Sequence, residues 1–303
     1  MASAKVQVEI GGRTLSVSNL DKVLYPEASF TKAEVIDYYL RIAPVLLAHL
    51  GDRGITMRRF PDGVDAGSFF EKRCPSHRPD WISTAPGPGD RNGTIGYCRL
   101  AEPAALAWAA NLAALELHAP MARVDDIDAP TMAVFDLDPG PGVVMEGCAE
   151  VGLWVRDTLA GIGIDCYPKT SGSKGLQVYV PLNAPHTHEH ASSFSLAVAQ
   201  VLERTHPSLI VTTQAKEARR GKILIDWSQN SRHKTTICAY SLRARPRPTV
   251  STPVTWDEVE AAAGGEALSF EAAEVLDRVE RLGDLFAPTL TQVQHLPDPR
   301  PSP

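Results

Sequence analysis

Three aspartates end apolar runs of the sequence, and their positions indicate metal-dependent chemistry. Asp136 and Asp138 end the run TMAVFDLD at 131–138, and Asp226 follows the apolar residues 223–225. Residues i and i+2 of an extended strand share a face, so Asp136 and Asp138 would point to one spot. Carboxylate oxygens suit Mg²⁺ or Mn²⁺, and three of them suit a two-metal site for phosphoryl transfer. For the Asp-x-Asp pair alone, the alternative is a strand end that caps the following turn.

The segment SGSKG at 171–175 combines flexible backbone N–H groups with two hydroxyls and an ammonium, as an anion-binding nest requires. It is not a Walker loop, because the GxxxxGK[ST] spacing is absent and an apolar strand pattern follows. A hairpin turn with a solvated lysine is the alternative. Together with Arg219 and Arg243, Lys174 of this segment would neutralise a triphosphate that two metal ions neutralise only in part.

Five further residues have both an ordinary and a functional interpretation. His118 follows an alanine-rich helical pattern, where most histidines are only satisfied polar groups at a helix end. Phe69 and Phe70 are candidates for base stacking, although core packing of at least one is the ordinary expectation. Lys22 and Lys32 are surface lysines by default, but Lys32 begins a capped helix whose free N–H groups favour a phosphate.

The charge of the chain is distributed unevenly. The 303 residues carry a net charge of −6, yet residues 214–247 contain nine Lys or Arg and only two acidic residues. A local charge of about +7 in this segment predicts a surface that attracts polyanions, which the whole-chain charge conceals.

A mixed α/β fold is predicted to position these residues. Helical periodicity favours helices over 32–50, 103–117, 144–162 and 191–204, with strands over 131–138, 166–170, 176–182, 222–227 and 235–241. Thr31 and Glu34 form a capping box before the first helix. Proline and glycine predict a long surface loop over 74–96, and the histidines at 186, 188 and 190 are interpreted as solvated loop residues rather than a metal cluster.

Composition excludes several classes of protein. No apolar run approaches the roughly 20 residues of a membrane span, and the amino terminus has no apolar signal core. The five cysteines form no CxxC pair and cannot all be bridged, which argues against a zinc ribbon and against a secreted disulfide framework. A reducing compartment, the cytoplasm, is therefore expected.

Several motifs in order resemble the polymerase domain of the bacterial ligase LigD, a member of the archaeo-eukaryotic primase superfamily. They are DLDPG at 136–140, TSGSKGLQVY at 170–179 and ILIDWSQN at 223–230, together with DKVLYP at 21–26, RRFPDGV at 58–64, FFEK at 69–72, LELH at 115–118 and YSLR at 240–243. The resemblance runs from about Val17 to Leu285. It implies a primase-polymerase fold of two interlocked modules, the catalytic one with a sheet like that of an RNA-recognition motif.

The resemblance also implies an activity and a role for individual residues. The family adds nucleotides to a primer 3′ end under template direction, often prefers ribonucleotides and commonly works best with manganese. Asp136, Asp138 and Asp226 would be the metal and catalytic residues. The nucleotide and its triphosphate would be bound by His118, Ser171, Lys174, Arg219, Gln229, Arg243 and Arg58, the last at a position where the family often has lysine. Asn19, Lys22 and Lys32 would bind a 5′ phosphate across a gap, and Arg59, Phe69 and Phe70 would contact the template.

The sequence therefore predicts a cytoplasmic, monomeric nucleotidyltransferase that fills short gaps at DNA breaks, in end joining or excision repair. We expect an arm over 1–16, a catalytic domain over 17–287 and a tail or linker over 288–303. Two Mn²⁺ or Mg²⁺ ions, a ribonucleoside or deoxyribonucleoside triphosphate and DNA with a 5′-phosphorylated gap or break are the expected ligands. Ku and an ATP-dependent DNA ligase are the expected partners, since the chain lacks the KxDG adenylation signature. A two-metal nuclease and a non-catalytic DNA-end binding module are the alternatives.

Overall fold

The structure is a computed structural model that describes residues 5–89 and 93–297. The chain divides into two compact units, and each is assembled from three separate segments. The first unit comprises Met1–Pro120, Ile237–Ser251 and Phe270–Gly283, and the second comprises Met121–Thr236, Thr252–Ser269 and Asp284–Pro303. Helices and strands occur in both units, which confirms the mixed α/β class.

The secondary structure elements are numbered along the chain. The strands are β1 Lys5–Ile10, β2 Arg13–Ser18, β3 Val23–Tyr25, β4 Phe30–Thr31, β5 Thr56–Arg59, β6 Phe69–Glu71, β7 Thr84–Pro88, β8 Thr94–Cys98, β9 Ala114–Ala119, β10 Met132–Pro139, β11 Tyr167–Thr170, β12 Leu176–Pro181, β13 Ile210–Val211, β14 Ile223–Asp226 and β15 Thr236–Ile237. The α-helices are α1 Lys32–Leu50, α2 Pro103–Asn111, α3 Met145–Ala160, α4 His188–Thr205, α5 Trp256–Ala263, α6 Ala272–Leu282 and α7 Pro288–Thr291.

Helix α1 of the first unit begins and ends where the sequence predicts. The Thr31 hydroxyl accepts a hydrogen bond from the Glu34 N–H, and the Glu34 carboxylate accepts one from the Thr31 N–H, which completes the capping box. The apolar face of the helix buries Val35, Ile42 and Leu46. The helix is therefore fixed both by its cap and by its core-facing side chains.

The LELH segment at 115–118 lies in a strand, so the prediction of one long helix over 103–117 is wrong. Helix α2 ends at Asn111, and Ala113 adopts a left-handed conformation with φ 56° that breaks the helical path. Strand β9 then pairs antiparallel with β5, which places Arg58 opposite Glu116 and Thr56 opposite His118. Alanine and leucine have high helix propensity, and pairing with β5 overrides that preference here.

The region 74–96 is more ordered than the predicted loop. Strands β7 and β8 form an antiparallel hairpin in which Ala85 faces Tyr97, and a disulfide joins Cys74 to Cys98. The sequence analysis did not predict this bond, because cysteines 24 positions apart carry no recognisable spacing signal. The other cysteines of the described chain are buried and form no disulfide: Cys148, Cys166 and Cys238. Positions 90–92 of the predicted loop lie outside the described residues.

A five-stranded sheet of order β11-β12-β10-β14-β13 forms the centre of the second unit. The central strand β10 pairs antiparallel with β12 on one side and with β14 on the other. Its residues Ala133, Val134 and Phe135 are completely buried, because apolar side chains cover both faces of the sheet. The predicted strands over 131–138, 166–170, 176–182 and 222–227 therefore lie in this sheet, whereas the predicted strand over 235–241 is only the two-residue β15, which belongs to another sheet.

Two other expectations need correction at the ends of elements. His188 and His190 lie in the first turn of α4 rather than in a loop, and the buried His188 ring lies within hydrogen-bonding distance of the Asn230 and Ile127 carbonyls. Residues 288–291 form the short helix α7 rather than an unstructured tail, whereas 298–303 lie outside the described residues.

No helix among the described residues has both the length and the apolar character that a bilayer crossing requires.

Asn230 is a buried polar residue that fixes the centre of the second unit. Its side chain accepts a hydrogen bond from the Val134 N–H at 2.7 Å and donates one to the Val134 carbonyl at 2.8 Å. It also donates to the Ser195 hydroxyl and to the Trp227 carbonyl. These bonds satisfy backbone groups of β10 that would otherwise be buried without partners.

We expect Asn230→Ala to lower the free energy of unfolding by about 2–4 kcal/mol, since it orphans the buried N–H and C=O of Val134. Denaturant unfolding followed by circular dichroism measures the change. Asn111→Ala is the control, because the Asn111 bond to Ser16 is exposed and its bond to Ser18 is only partly buried, and its expected cost is below about 1 kcal/mol. Equal losses in the two variants would contradict the assigned role of Asn230.

Candidate active site

The three aspartates lie at one end of the central strand pair of the second unit. Asp136 on β10 is directly opposite Asp226 on β14, and Asp138 is opposite Leu224. Asp136 and Asp138 share one face of β10 because they are two residues apart. Pairing of β10 with β14 therefore places two carboxylates side by side on neighbouring strands, with the third two residues along.

Burial and the neighbouring negative charges raise the pKa of both Asp136 and Asp138. Burial is the largest cause that raises the pKa of Asp136, to about 6, and the charges of Asp226 and Asp138 raise it further. Burial and the charge of Asp226 raise the pKa of Asp138, while Arg219 and Lys174 oppose the rise. The site is thus short of positive charge, which a divalent cation would supply.

Neutral donors satisfy the carboxylate oxygens of the two buried aspartates. Gln177 donates to Asp136 Oδ1 at 3.0 Å, and Gln214 donates to Asp226 Oδ1 at 2.9 Å. Asp226 Oδ1 also accepts from the backbone N–H and the hydroxyl of Ser228, and Asp226 Oδ2 accepts from Gln229 Nε2 at 3.1 Å. These bonds hold both carboxylates in fixed orientations.

The more exposed Asp138 has a cationic partner instead. Arg219 Nη1 lies 3.4 Å from Asp138 Oδ2, and Arg219 Nη2 donates to the backbone carbonyl and the side-chain oxygen of Gln214. Gln214 therefore links Asp226 to Arg219. The buried Nε of Arg219 has no hydrogen-bond acceptor within the part of the chain that the structure describes. This guanidinium retains donor capacity for an incoming anion.

Within residues 5–89 and 93–297, no three His, Cys, Asp or Glu side chains form a group that could hold a metal ion. A site with Asp136, Asp138 and Asp226 as joint ligands therefore stays a prediction. All of their oxygens are hard donors of the kind that Mg²⁺ and Mn²⁺ prefer.

The SGSKG segment forms a closed turn between β11 and β12. The Ser171 N–H donates to the Gly175 carbonyl, and the Ser171 hydroxyl accepts from the N–H groups of Ser173 and Gly175. Gly172 adopts a left-handed φ of 67° that other residues rarely accept. Two of the N–H groups that a nest would offer are thus occupied by Ser171. Lys174 lies close enough to Asp138 to lower its pKa.

Further candidate residues lie in the first unit, where they surround one buried carboxylate. Glu116 Oε2 lies 3.1 Å from His118 Nε2 and 3.4 Å from Arg58 Nη1, and Glu116 Oε1 lies 3.1 Å from Arg243 Nε. The Ala244 N–H donates to the same Oε1 at 3.1 Å. Three predicted nucleotide-binding residues, His118, Arg58 and Arg243, therefore meet at Glu116.

The two phenylalanines of β6 are exposed, as the base-stacking hypothesis requires. Phe69 is 46% exposed and Phe70 56% exposed, and guanidinium groups lie against the two rings. Arg59 lies 5.2 Å from the Phe69 ring centre, and Arg58 lies 5.2 Å from that of Phe70. A cavity of about 810 Å³ adjoins both rings and extends along residues 71–76. This surface combines aromatic faces with positive charge, which suits single-stranded nucleic acid.

Asn19, Lys22 and Lys32 lie together where α1 begins. The N–H groups of Lys32 and Ala33 donate to the carbonyls of Lys22 and Leu20, so these N–H groups are not free for a phosphate. The predicted contribution of these helix N–H groups is therefore wrong. The side chains are still candidates for phosphate binding. Lys22 pairs with Asp62, and the buried Lys32 ammonium donates to the Ser18 carbonyl at 2.7 Å. Burial lowers the pKa of Lys32 to about 8, and the charges of Lys22 and Arg59 lower it further.

The sequence analysis missed four residues that support the predicted site. Gln177 and Gln214 bond to the aspartates, the buried Lys169 ammonium donates to Gln177 Oε1, and Glu116 contacts His118. Strand periodicity gives a signal for Glu116, which precedes His118 by two positions. The position of Lys169 opposite Gln177 follows from the pairing of β11 with β12. Gln214 lies in an irregular segment and gives no such signal.

Comparisons with known proteins agree with the motif resemblance. The family model described as "LigD, primase-polymerase domain" matches residues 31–286. The multifunctional non-homologous end joining protein LigD of Mycolicibacterium smegmatis is 45% identical over 274 residues, which is 90% of this chain and 35% of that protein. The bifunctional non-homologous end joining protein LigD of Bacillus subtilis is 30% identical over 273 residues, 90% of this chain and 43% of that protein. The chain thus spans about a third to under half the length of these relatives.

A solved structure shares the fold. The polymerase domain of Mycobacterium tuberculosis ligase D, in complex with DNA, matches with a TM-score of 0.86 and 43% sequence identity. The match covers 92% of this chain and 99% of that one.

We expect Asp136→Asn to be more stable than the parent at neutral pH without divalent metal. In the parent, the pKa of Asp136 is about 6 in the folded protein and has its ordinary value of 3.8 in the unfolded chain. The folded state therefore binds more protons between these two pH values, and the free energy of unfolding falls as pH rises through them. Asparagine keeps the oxygen that accepts from Gln177 and removes the charge, whose burial and repulsion together cost at most roughly 3 kcal/mol above that window.

Denaturant unfolding in EDTA at pH values of about 4 and about 7.5 tests this expectation. The difference between variant and parent should be small at the lower pH and large at the higher one. Asp128→Asn, which removes a solvent-exposed partner of Arg232 in the same unit, is the control and should give no stabilisation. A stability difference that does not change with pH would contradict the assigned repulsion.

Proposed function

The chain belongs to the LigD primase-polymerase domain family of polymerase-type nucleotidyltransferases, and from that premise we propose that it fills short gaps at DNA breaks. It would add nucleotides to a primer 3′ end opposite a template. The observation that carries the proposal is the pairing of Asp136 with Asp226, with Asp138 on the same face of β10. Arg219 and Lys174 beside these carboxylates add the positive charge that a triphosphate requires.

Asp136, Asp138 and Asp226 would hold two Mn²⁺ or Mg²⁺ ions. The donor set fits, because its atoms are carboxylate oxygens whose repulsion a cation would relieve. Such ions lower the pKa of an attacking hydroxyl and stabilise the charge of a leaving pyrophosphate. The protein would keep the ligand oxygens in place through Gln177 and Gln214, whose amides already orient Asp136 and Asp226.

Charged and polar residues would bind the nucleotide. In the second unit, Lys174 and Arg219 would contact the phosphates, with Ser171 and Gln229 as hydrogen-bonding partners. Arg219 suits this role because its buried Nε finds no acceptor among the described residues. In the first unit, His118, Arg58 and Arg243 are the proposed nucleotide contacts. Their clustering at Glu116 gives them a common orientation.

The first unit would also contact the DNA. Exposed Phe69 and Phe70 would stack on template bases, and Arg59, held by Glu71 and the Leu112 carbonyl, would support the Phe69 ring. A 5′ phosphate at the far side of the gap would be bound by Asn19, Lys22 and Lys32. The Lys32 ammonium suits this task because it is already partly desolvated and close to Lys22.

The relatives' names suggest the pathway and partners that we propose for this chain. The relatives are non-homologous end joining proteins, and the solved polymerase domain is in complex with DNA. We propose that this chain acts on 5′-phosphorylated breaks in the same pathway, with Ku and an ATP-dependent ligase as partners. A preference for ribonucleotides is part of the proposal.

We expect Asp136→Ala combined with Asp138→Ala to abolish primer extension, with a loss of at least about a hundredfold in rate. Binding to 5′-phosphorylated gapped DNA should stay within about twofold of the parent, because the proposed DNA contacts lie elsewhere. Labelled primer on a gapped template with Mn²⁺ measures extension, and fluorescence anisotropy measures binding. Extension at the parent rate in the double variant would refute the assignment.

The same assay separates the two alternative functions. A two-metal nuclease would shorten the labelled primer with or without nucleotides, whereas a polymerase lengthens it only when nucleotides are present. A non-catalytic end-binding module would bind the phosphorylated gap and leave the primer unchanged. Parallel reactions with ribonucleotides and deoxyribonucleotides, on gaps of graded length, measure the sugar preference and the gap size.

We expect the preference for a 5′-phosphorylated gap over an unphosphorylated one to decrease as pH rises through about 8 and above. Lys32 loses its proton with a pKa of about 8 in the free protein, and bound phosphate delays that loss without preventing it. Anisotropy with both gapped DNAs at constant ionic strength measures the ratio of affinities. Lys22→Ala and Lys32→Ala should each reduce this ratio.

Lys32→Arg is the matched control, because arginine stays charged across this pH range. Its ratio of affinities should change less with pH than that of the parent. If Lys32→Ala retains the full preference for the phosphate and its pH dependence, the assignment of Lys32 is wrong.

A further inference from the structure

Glu116 is a buried carboxylate at the centre of the first unit's charged cluster, and nothing so far assigns it a task. Its side chain is 1% exposed and lies on β9, where it is opposite Arg58 of β5. Oε2 lies close to His118 and Arg58, whereas Oε1 accepts a hydrogen bond from the Ala244 N–H and forms an ion pair with Arg243, whose Nε lies 3.1 Å away without hydrogen-bond geometry.

Glu116 has more cationic partners than a buried carboxylate needs to offset its desolvation. A buried carboxylate needs one cation and some hydrogen bonds to offset its desolvation. Glu116 has two guanidiniums and a histidine, so the cluster has a positive excess even when His118 is neutral. The hydrogen bond from His118 and the charge of Arg243 offset the effect of burial, and the pKa of Glu116 falls to about 2.

We propose that Glu116 is a positioning residue that fixes His118 and Arg243 for the nucleotide. This inference rests on the proposed function, since His118 and Arg243 are nucleotide contacts only within it. The Glu116 carboxylate lies against His118 Nε2, so the other ring nitrogen, Nδ1, is the one not committed to Glu116. On the other side, Glu116 limits the freedom of the half-buried Arg243 guanidinium before any triphosphate arrives.

The cluster also contacts residues of the proposed template surface. The His118 ring makes an edge contact with Phe70 at 5.5 Å between ring centres, and Arg58 lies against the same phenylalanine. A carboxylate that orients His118 and Arg58 therefore sets the surroundings of Phe70 as well. Loss of Glu116 should affect nucleotide use first, because its three side-chain partners, His118, Arg58 and Arg243, are proposed to contact the nucleotide and not the DNA.

Glu116→Gln tests this inference with nearly unchanged volume. An amide offers one acceptor oxygen where the carboxylate offers two, so either the pair His118 and Arg58 or the Ala244 N–H loses its acceptor, and Arg243 loses its anionic partner in both orientations. Glu102→Gln is the matched control, because it removes the carboxylate that pairs with Arg13 in the same unit, outside the cluster. Glu116→Asp keeps the charge and shortens its reach.

Three measurements give a result that a merely structural role would not produce. In Glu116→Gln the KM for the nucleotide should rise about tenfold or more, while affinity for gapped DNA, measured below the unfolding transition, should follow the Glu102→Gln control. The pKa of His118, followed by NMR and assigned with His118→Asn, should fall by about one unit or more, because the opposing anion is gone. Glu116→Asp should restore part of both values.

Two results would overturn the inference. One is an unchanged nucleotide KM together with an unchanged His118 pKa in Glu116→Gln. The other is a parallel loss of DNA affinity and nucleotide affinity below the unfolding transition, which would indicate a purely structural group. Failure of the proposed function gives a different pattern, because the parent would then not extend a primer at all. The His118 pKa and the binding of a fluorescent nucleoside triphosphate would still test the role of Glu116 in that case.

Discussion

The pairing of β10 with β14 is the constraint on which the rest of the second unit depends. It places the half-buried Asp136 opposite the buried Asp226, where two like charges repel and solvent screens them only in part. The chain offsets the cost with neutral donors, chiefly Gln177 and Gln214, while the charge of the buried Lys169 also lowers the pKa of Asp136. A carboxylate pair held by amides remains attractive to cations, because the amides orient the oxygens without neutralising them.

The first unit contains the opposite arrangement. There a single buried anion, Glu116, gathers His118, Arg58 and Arg243, so that positive charge remains in excess. The negative charge of the aspartates in the second unit would favour the metal ions that we propose. The excess positive charge around Glu116 in the first unit would favour a polyanion such as a triphosphate or DNA. Each preference arises from a charged side chain that the sheet holds away from water.

The structure also shows where local signals of the sequence mislead. Thr31 and Glu34 predict the start of α1 correctly, because a capping box depends only on neighbouring residues. The alanine-rich region before His118 predicts a helix through 117, whereas residues 114–119 form a strand that pairs with β5. The disulfide between Cys74 and Cys98 and the hairpin of β7 and β8 likewise depend on contacts between distant positions. Propensity cannot anticipate such pairing partners.

By itself the sequence determined the residues that bear chemistry and the short elements that carry several of them. Strand period puts Asp136 and Asp138 on one face, and the motif order identifies the family. Only the tertiary structure decided that Asp226 is the partner of Asp136, that Gln177 and Gln214 hold the two carboxylates, and that Glu116 unites His118 with Arg243. The physical reason is that long-range packing sets strand register and burial. The desolvation cost of a charged side chain and the identity of its partners therefore depend on the folded chain.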